Sequence, residues 1–407
     1  MTFTSIGHAD HAMRNCNAIL QVKEVLEYVY GGLDHVRTPA INAESSSILQ
    51  GCLPLLMEQV PAETLIQLMG QKKYEQLRYL CRQSSILNLW YSSEMKRIFD
   101  VMAAAQIRVM VLKGADVAAS LYPRPELRPL HDIDLMVQPK DLAATIAILE
   151  KLGYHYHQEY RFEAVSKQRT GFVYAKGVPV GHLMFEVHTA PHGNEMGVSF
   201  AAARLWERAR PITIAGMETY GMGLEDLLLY LCWHYRSHVF GRLIWLYDIA
   251  LLLLCYADQL DWALVRRLAR EQELMATIYY TVRLCQQAFH ITIPENARIE
   301  QCMPPVFIQR LITRLVGNDL TSVLRKTAQR ERKLLHYLVV DNVSALCLVW
   351  WRTVFPSPEA LGYRYMDHSR LPLHLFWLYY PLHPLLALRR YFRARSLKKS
   401  SHRQNRM

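Results

Sequence analysis

The stretch IRVMVLKGADVAASLYPRPELRPLHDIDLMV, residues 107–137, decides the fold. Its first six residues are mostly apolar and partly β-branched, and they end at Lys113-Gly114, which predicts a strand followed by a turn. We expect a helix over about Asp116 to Tyr122, because two prolines follow it. A loop carrying Arg128 then leads to a second strand, Asp132 to Val137. The order strand, turn, helix, loop, strand predicts an α/β module.

Two carboxylates open the second strand. Side chains of a strand alternate between its faces, so Asp132 and Asp134 point the same way, with Cα atoms roughly 7 Å apart. Ile133 and Leu135 then enter the core. Two like charges repel unless a cation lies between them, and Mg²⁺ prefers a few carboxylates together with phosphate oxygens and water. The pair therefore predicts a site for a metal and a nucleotide.

A third acidic residue lies in the alternating segment LMFEVH, residues 183–188. The alternation places Glu186 and His188 on one face, and a neighbouring strand brings Glu186 beside the two aspartates. A third carboxylate in such a site binds metal or accepts the proton of an acceptor hydroxyl. His188 is a candidate to bind phosphate by donating a hydrogen bond or to support Glu186, and the supporting role is favoured.

Besides His188, three residues are predicted to bind phosphate. Lys113 and Gly114 lie between a strand and a helix N-terminus, where an ammonium group and free backbone amides hold phosphate oxygens. Arg128 carries a fork of donors that fits a phosphate oxygen. Taken singly, an Asp-x-Asp pair usually caps or solvates a turn and a lysine before glycine is usually a surface charge. The functional interpretation depends on their occurring together and in this order.

The flanking sequence is mostly helical. Ser92 or Ser93 is predicted to cap a helix running to about Ala105, and an amphipathic helix is expected over Asp141 to Leu152. Extended segments follow near residues 154–160, 170–174 and 180–189, and helices resume after Gly223. The predicted division is a helical region at 1–92, a nucleotide-handling α/β core at 93–222, a helical domain at 223–330, and a helical extension with a basic tail at 331–407.

Several motifs occur in a fixed order along the chain: residues 107–114, Tyr122, Arg128, 132–135, Gly153-Tyr154 and 185–188, followed by 226–228, His234, 242–249 and 261–262. In this order they resemble the uncharacterised bacterial nucleotidyltransferase family of the polymerase-beta-like superfamily. The wider superfamily usually has Gly-Ser or Gly-Gly at the first turn, whereas the narrower family shares the Lys-Gly form seen here.

The resemblance implies an α+β fold with a mixed sheet, flanked by helical regions, and an enzyme that moves a nucleoside monophosphate from a nucleoside triphosphate such as ATP to a hydroxyl acceptor. By position it matches Asp132 and Asp134 to the metal-binding pair and Glu186 to the third acidic residue. The implied cofactor is Mg²⁺ or Mn²⁺. The acceptor is a small molecule, a sugar or a protein.

Composition agrees with a folded, helix-rich protein, since 51% of the residues are hydrophobic and 20% are charged. The first fifteen residues lack the pattern of a secretory signal, which predicts a cytoplasmic protein. The cysteines form no Cys-x-x-Cys pair and are interpreted as reduced thiols. They are residues 16, 52, 81, 232, 255, 285, 302 and 347.

Most of the positive charge belongs to the C-terminal tail. The net charge is +11, and eight basic residues after Leu388, with no acid among them, leave +3 for the rest of the chain. A near-neutral body argues against a nucleic-acid template channel. The tail is interpreted mainly as a solvated segment, with a contact to nucleic acid or a weak contact to anionic lipid left open. Prolines in the apolar stretch at 371–388 argue against a transmembrane helix.

Other residues and motifs allow further interpretations. The His131-Asp132 dipeptide also occurs in HD phosphohydrolases, but there it lies on helices with further histidines. His234 and His238 have a metal-ligand spacing, yet without a third ligand they are interpreted as helix-face residues. Asp248 is expected to be a buried hydrogen-bonding group. The remaining alternative is a catalytically inert scaffold of the same fold that binds nucleotide or docks a partner.

Overall fold

The computed structural model describes residues 43–157, 171–191, 198, 200–324 and 328–355. The described residues up to Asn342 form one compact unit, and a terminal helix belongs to a second unit. The four-part division at 92, 222 and 330 stays a prediction. The predicted basic tail and the apolar stretch at 371–388 lie outside the described residues.

Helices dominate both ends of the first unit. Among the described residues, the helices before the sheet are α1 (Ala43–Gln59), α2 (Ala62–Met69) and α3 (Gln71–Ala104). Those described between strands are α4 (Lys113–Leu121), α5 (Leu142–Lys151) and α6 (Ala202–Glu207). Those described after the sheet are α7 (Leu224–Ser237), α8 (Leu243–Tyr256), α9 (Trp262–Glu271), α10 (Met275–Phe289), α11 (Val306–Leu315) and α12 (Gln329–Leu338). The second unit contributes α13 (Val343–Val354).

Seven strands form one mixed sheet. They are β1 (Met110–Leu112), β2 (Ile133–Met136), β3 (His155–Tyr156), β4 (Gly171–Val178), β5 (Gly181–His188), β6 (Arg210–Ile214) and β7 (Met217–Gly221). Their order is β3-β4-β5-β2-β1-β7-β6. β2 runs parallel to β5 and antiparallel to β1, while β1 runs parallel to β7. The predicted α+β fold with a mixed sheet is confirmed.

The apolar face of the sheet packs against α3. Ile133 and Leu135 of β2 and Phe185 of β5 are fully buried in one core with Ile98 and Met102 of α3. Residues at even positions of the same strands, including Asp134, point to the other face. Burial of the odd positions therefore fixes the register that aligns the polar ones.

The long helix α3 corrects one prediction. It begins at Gln71 and continues through Ser92 and Ser93, so neither serine caps a helix there. Its length has a structural role. Asn88 and Tyr91, which precede Ser92 on the same helix, bond to the segment that precedes β2. The Tyr91 hydroxyl donates to the backbone oxygen of His131 at 2.6 Å and accepts from the Met184 amide at 3.0 Å. One side chain thus ties the approach to β2 to β5.

The β6–β7 hairpin was not predicted individually. It turns at Ala215 and Gly216, both with positive φ, which is the backbone of a two-residue hairpin loop. Alanine is an unusual residue at such a position, so the sequence carries little of the usual Asn-Gly signal.

The seven described cysteines are free thiols, as predicted. Among the described helices, none has the length and apolar character needed to cross a membrane.

Asn88 provides a test of how α3 supports the sheet. Its Nδ2 donates to the backbone oxygen of Arg128 at 2.9 Å, and its Oδ1 accepts from the Leu130 amide at 3.0 Å. Asn88→Ala leaves both buried backbone groups without these partners, so we expect a loss of about 2 to 4 kcal/mol in the free energy of unfolding. Urea titration followed by circular dichroism measures it. Arg82→Ala, at an exposed position of α3, is the control and should cost under about 0.5 kcal/mol; equal losses would contradict this role for Asn88.

Candidate active site

The pairing of β2 with β5 sets the geometry of the site. In this parallel pair Asp134 lies opposite Glu186, and Met136 lies opposite His188. Because Ile133 and Phe185 are buried on the other face, the two carboxylates must project together from adjacent strands. The structure therefore brings Asp134 and Glu186 together, as the alternation of both segments predicts.

Asp134, Glu186 and His188 form a compact group of possible metal ligands. One ligand atom from each lies within 4.8 Å of the others. His188 Nε2 is 3.2 Å from Asp134 Oδ1 and 3.8 Å from Glu186 Oε2. Asp134 and His188 are buried, and Glu186 is half-buried. Two carboxylates and an imidazole at this separation fit one divalent cation, which would neutralise the charge of the two acids.

Asp132 lies one residue before β2 and is exposed at the edge of this group. Partial desolvation, followed by the negative charge of Asp134, raises the pKa of Asp132 to about 6. Glu186 acts in the same direction, whereas Lys113 opposes it. Three carboxylates therefore influence one another, and their mutual repulsion is the physical reason that a cation is needed here.

Lys113 supplies a cation from the protein itself. It follows β1 with φ 47°, a left-handed conformation that is uncommon for residues other than glycine. Its Nζ donates to Asp134 Oδ1 at 2.8 Å. Burial alone raises the pKa of Asp134, but the Lys113 ammonium and the hydrogen bond from His188 hold it well below its usual range. Lys113 is thus directed at the carboxylate that is predicted to bind metal.

Arg128 has different partners from those expected of a phosphate-binding residue. Its Nε and Nη2 donate to Asp248 Oδ2 at 3.1 and 2.8 Å, and its Nη1 donates to the backbone oxygen of Pro129. Arg128 and Asp248 are both buried, and Tyr122 also donates to Asp248. The predicted hydrogen-bonding role of Asp248 is confirmed. The contacts of Arg128 favour a structural role, in which it joins the loop before β2 to α8.

Gly114 explains why this ion pair lies next to the predicted site. A Cβ atom at Gly114 would lie 2.5 Å from Nη1 of Arg128 and 3.0 Å from its Cζ. Because Asp248 holds the guanidinium, this group cannot move aside easily. Gly114 is therefore required for close packing of the first turn against Arg128, and this requirement is independent of any role in binding phosphate.

His234 and His238 pack as aromatic rings. Their ring centroids are 4.5 Å apart, and both contact the Trp245 ring, at 4.6 and 4.8 Å. Burial, followed by the charge of Lys113, holds the pKa of His234 well below its usual value. This packing agrees with their interpretation as helix-face residues. It also shows that α7 lies within electrostatic reach of Lys113.

Sequence reasoning missed Tyr230. This residue of α7 is fully buried, and the charges of Lys113, Asp134 and Glu186 act on its hydroxyl group. The one available signal was its position four residues before His234, which places both on one helix face. A single tyrosine in an apolar helix is usually a core residue, so that signal alone pointed to packing.

A mixed sheet whose parallel central pair carries facing carboxylates, flanked by helices, defines an α+β nucleotidyltransferase fold. A family model described as uncharacterised nucleotidyltransferase matches residues 47–290, so the chain belongs to this family and is a nucleotidyltransferase enzyme. Enzymes of this kind generally use divalent metals. The match includes all the predicted site residues.

Similar solved structures include the antibiotic-resistance factor ANT(2'')-Ia in solution, with 16% identity, a TM-score of 0.31, and coverage of 45% of this chain and 91% of that one. A crystal structure of ANT(2'')-Ia with adenylyl-2''-tobramycin gives 16% identity, a TM-score of 0.31, and coverage of 44% and 95%. An antigenic nucleotidyltransferase-like protein from Paracoccidioides brasiliensis has 13% identity and a TM-score of 0.26. The alignment covers 49% of this chain and 91% of that one. No curated protein matches the chain.

Gly114→Ala tests the close packing at the first turn. The added methyl group would collide with a guanidinium that Asp248 holds, so we expect a loss of about 2 kcal/mol in the free energy of unfolding. The matched control is Gly177→Ala in β4, where a Cβ atom meets nothing within 4 Å. It should change stability by less than about 0.5 kcal/mol. Equal effects of the two substitutions in urea titrations would contradict this packing argument.

Lys113→Met tests whether the ammonium balances the carboxylates. It removes one partner of a largely buried ion pair, so we expect a loss of roughly 3 kcal/mol in EDTA. Added Mg²⁺ should stabilise the variant more than the wild type, because a bound dication replaces the missing charge. Lys96→Met is the control, since it removes an exposed Lys–Asp pair of similar length, 3.1 Å, and should cost under about 1 kcal/mol. Thermal or urea unfolding with and without Mg²⁺ measures the stability of both variants. An equal gain in stability from the metal in both would refute the charge-balancing role of Lys113.

Proposed function

We propose that this enzyme transfers a nucleoside monophosphate from a nucleoside triphosphate to the hydroxyl group of an acceptor, with a divalent metal. The observation that carries the proposal is the facing pair Asp134 and Glu186, with His188 in the same ligand group. A neutral or cationic cluster would attract phosphate directly. A cluster of carboxylates attracts phosphate only when a metal ion lies between them. The carboxylates of this site therefore favour chemistry on a metal-bound triphosphate.

Asp134 and Glu186, with Asp132 at the exposed edge, are the proposed ligands of Mg²⁺ or Mn²⁺. When bound, the metal would withdraw electron density from the phosphate oxygens and offset their charge. His188 lies within reach of both carboxylates and orients them, as its 3.2 Å contact with Asp134 suggests. This supporting role is the one that the sequence favoured for His188.

Lys113 is proposed to exchange partners during the reaction. Its ammonium group contacts Asp134, and a metal held by that carboxylate would repel it. Its flexible side chain can then reach a phosphate oxygen while its backbone stays at the end of β1. Gly114 allows the turn to pack closely against Arg128, and Arg128 stabilises the loop that carries Asp132.

The proposed chemistry is an in-line displacement at the α-phosphorus. The acceptor oxygen forms a bond to this phosphorus, and the bond to the bridging oxygen of the β-phosphate breaks. Pyrophosphate leaves with the electron pair. The proton of the acceptor hydroxyl passes to a carboxylate, for which half-buried Glu186 is the proposed base. The proposed acceptor is a small molecule, a sugar or a protein, and ATP is the first candidate donor. A cytoplasmic location and a bacterial source stay predictions.

The experiment separates nucleotidyl transfer from phosphoryl transfer. Purified protein is incubated with Mg²⁺ and each nucleoside triphosphate, labelled either at the α- or at the γ-phosphorus, together with a metabolite extract as the source of acceptors. We expect the α-label to enter a new product and the γ-label to appear in pyrophosphate. Transfer of the γ-label instead would refute the proposed reaction.

Variants assign that activity to the site. Asp134→Asn and Glu186→Gln should each lower the rate by about 100-fold or more, because each weakens the charge stabilisation that the metal site supplies. EDTA should abolish the reaction. Asp258→Asn, at an exposed position after α8, should leave it unchanged. Binding of triphosphate with no turnover in any extract would favour an inert scaffold, and full activity of Asp134→Asn would refute the site.

A further inference from the structure

Helix α7 presents an unexplained polar group to the site. Its residues Tyr230 and His234 are four apart and so share one face of the helix. Both are buried, and the charge of Lys113 acts on both. His234 has ring contacts with His238 and Trp245, which account for its position. The hydroxyl group of Tyr230 has no such explanation.

The Tyr230 ring is fixed by packing, whereas its hydroxyl has no hydrogen-bond partner among the described residues. The ring packs edge-on against Phe200, with centroids 5.2 Å apart, and against Trp233 at 5.4 Å. The side chain is fully buried, and within the described part of the chain its oxygen has no hydrogen-bond partner. Leaving a buried hydroxyl unpaired carries a free-energy cost, so native proteins rarely do so without a reason. A ligand is one such reason.

Helix α7 packs against α4, the helix that begins at Lys113, and the charges around the Tyr230 hydroxyl agree with a position near the candidate site. After burial itself, the groups that act on it are Lys113, Asp134, Glu186 and Asp132, which together make up the candidate active site. Burial and the three carboxylates raise the pKa of Tyr230, so the phenol keeps its proton and is a hydrogen-bond donor. A donor that lies near an ammonium group suits an anionic oxygen, and Asp134 already accepts from Lys113.

Tyr235 shows what the same feature looks like away from the site. It also lies on α7, is fully buried, and has a hydroxyl with no hydrogen-bond partner among the described residues. The groups that act on it after burial are Cys285 and Arg332, neither of which belongs to the candidate site. The two tyrosines therefore differ mainly in their surroundings, which makes them a matched pair.

We propose that the Tyr230 hydroxyl binds substrate by donating a hydrogen bond to an oxygen of the triphosphate chain of the nucleotide. This inference rests on the proposed function, since it requires that a triphosphate binds beside Lys113. The phosphate chain is favoured over the acceptor because its oxygens are anionic and are expected to lie between the metal ligands and Lys113. The bond would satisfy the hydroxyl and fix the nucleotide against α7.

The test measures binding of each nucleoside triphosphate with Mg²⁺, in the absence of acceptor, to the wild type, Tyr230→Phe and Tyr235→Phe. Isothermal titration calorimetry gives the affinities. We expect Tyr230→Phe to bind about 10- to 100-fold more weakly, the loss typical of a hydrogen bond to a charged group. Its Tm should not fall below that of the wild type by more than about 2 °C, because no described protein contact is lost. Tyr235→Phe should bind as the wild type does.

Three results would overturn the inference. Wild-type affinity in Tyr230→Phe would show that the hydroxyl does not contact the triphosphate, while leaving the proposed function intact. An equal loss in both variants would show an indirect effect through α7. Failure of the wild type to bind any of the four triphosphates with Mg²⁺ would overturn the proposed function and this inference together.

Discussion

Two carboxylates face each other across a pair of parallel strands, and like charges in that position repel. Asp134 and Glu186 are aligned by the β2–β5 register, and the register is fixed by burial of Ile133 and Phe185 on the opposite face. The hydrophobic core therefore holds together a polar arrangement that is unfavourable by itself. Most other features of the site compensate for this repulsion.

The compensating groups come from separate parts of the chain. Lys113 reaches Asp134 from the end of β1, on the other side of β2, and His188 reaches it from β5. Both donate to the same oxygen, Oδ1. In the proposed function, a metal bound by these carboxylates would take over the charge balance and displace the Lys113 ammonium group. We regard this exchange as the physical link between the stability of the fold and its proposed chemistry.

A second layer of contacts keeps the loop before β2 in place. Asn88 and Tyr91 of α3 bond to its backbone, and Arg128 joins it to Asp248 of α8. These partners lie 40 to 120 residues away in sequence. The position of Asp132 at the edge of the carboxylate group therefore depends on one helix that precedes the sheet in sequence and one that follows it.

These distances explain what the sequence could and could not predict. Alternation along β2 and β5 is local, so it predicted that Asp134, Glu186 and His188 share a face. The ion pair of Arg128 with Asp248 leaves no local signal, because Asp248 lies 120 residues further on; phosphate binding by Arg128 stays a prediction. Ser92 and Ser93 have good capping chemistry, but packing of α3 along the core overrides that local preference. Tyr230 was missed because an unpaired hydroxyl is visible only after the surrounding residues are in place.

The central claim is that Asp134 and Glu186 hold a divalent cation that displaces Lys113. Crystals grown with Mn²⁺ and a non-hydrolysable nucleoside triphosphate analogue, with data collected at the manganese absorption edge, test it most directly. We predict an anomalous peak roughly 2.1 Å from an oxygen of each carboxylate, with the Lys113 ammonium withdrawn from Asp134 toward a phosphate oxygen. A manganese peak elsewhere, or an intact contact between Lys113 and Asp134 beside a bound nucleotide, would contradict the account.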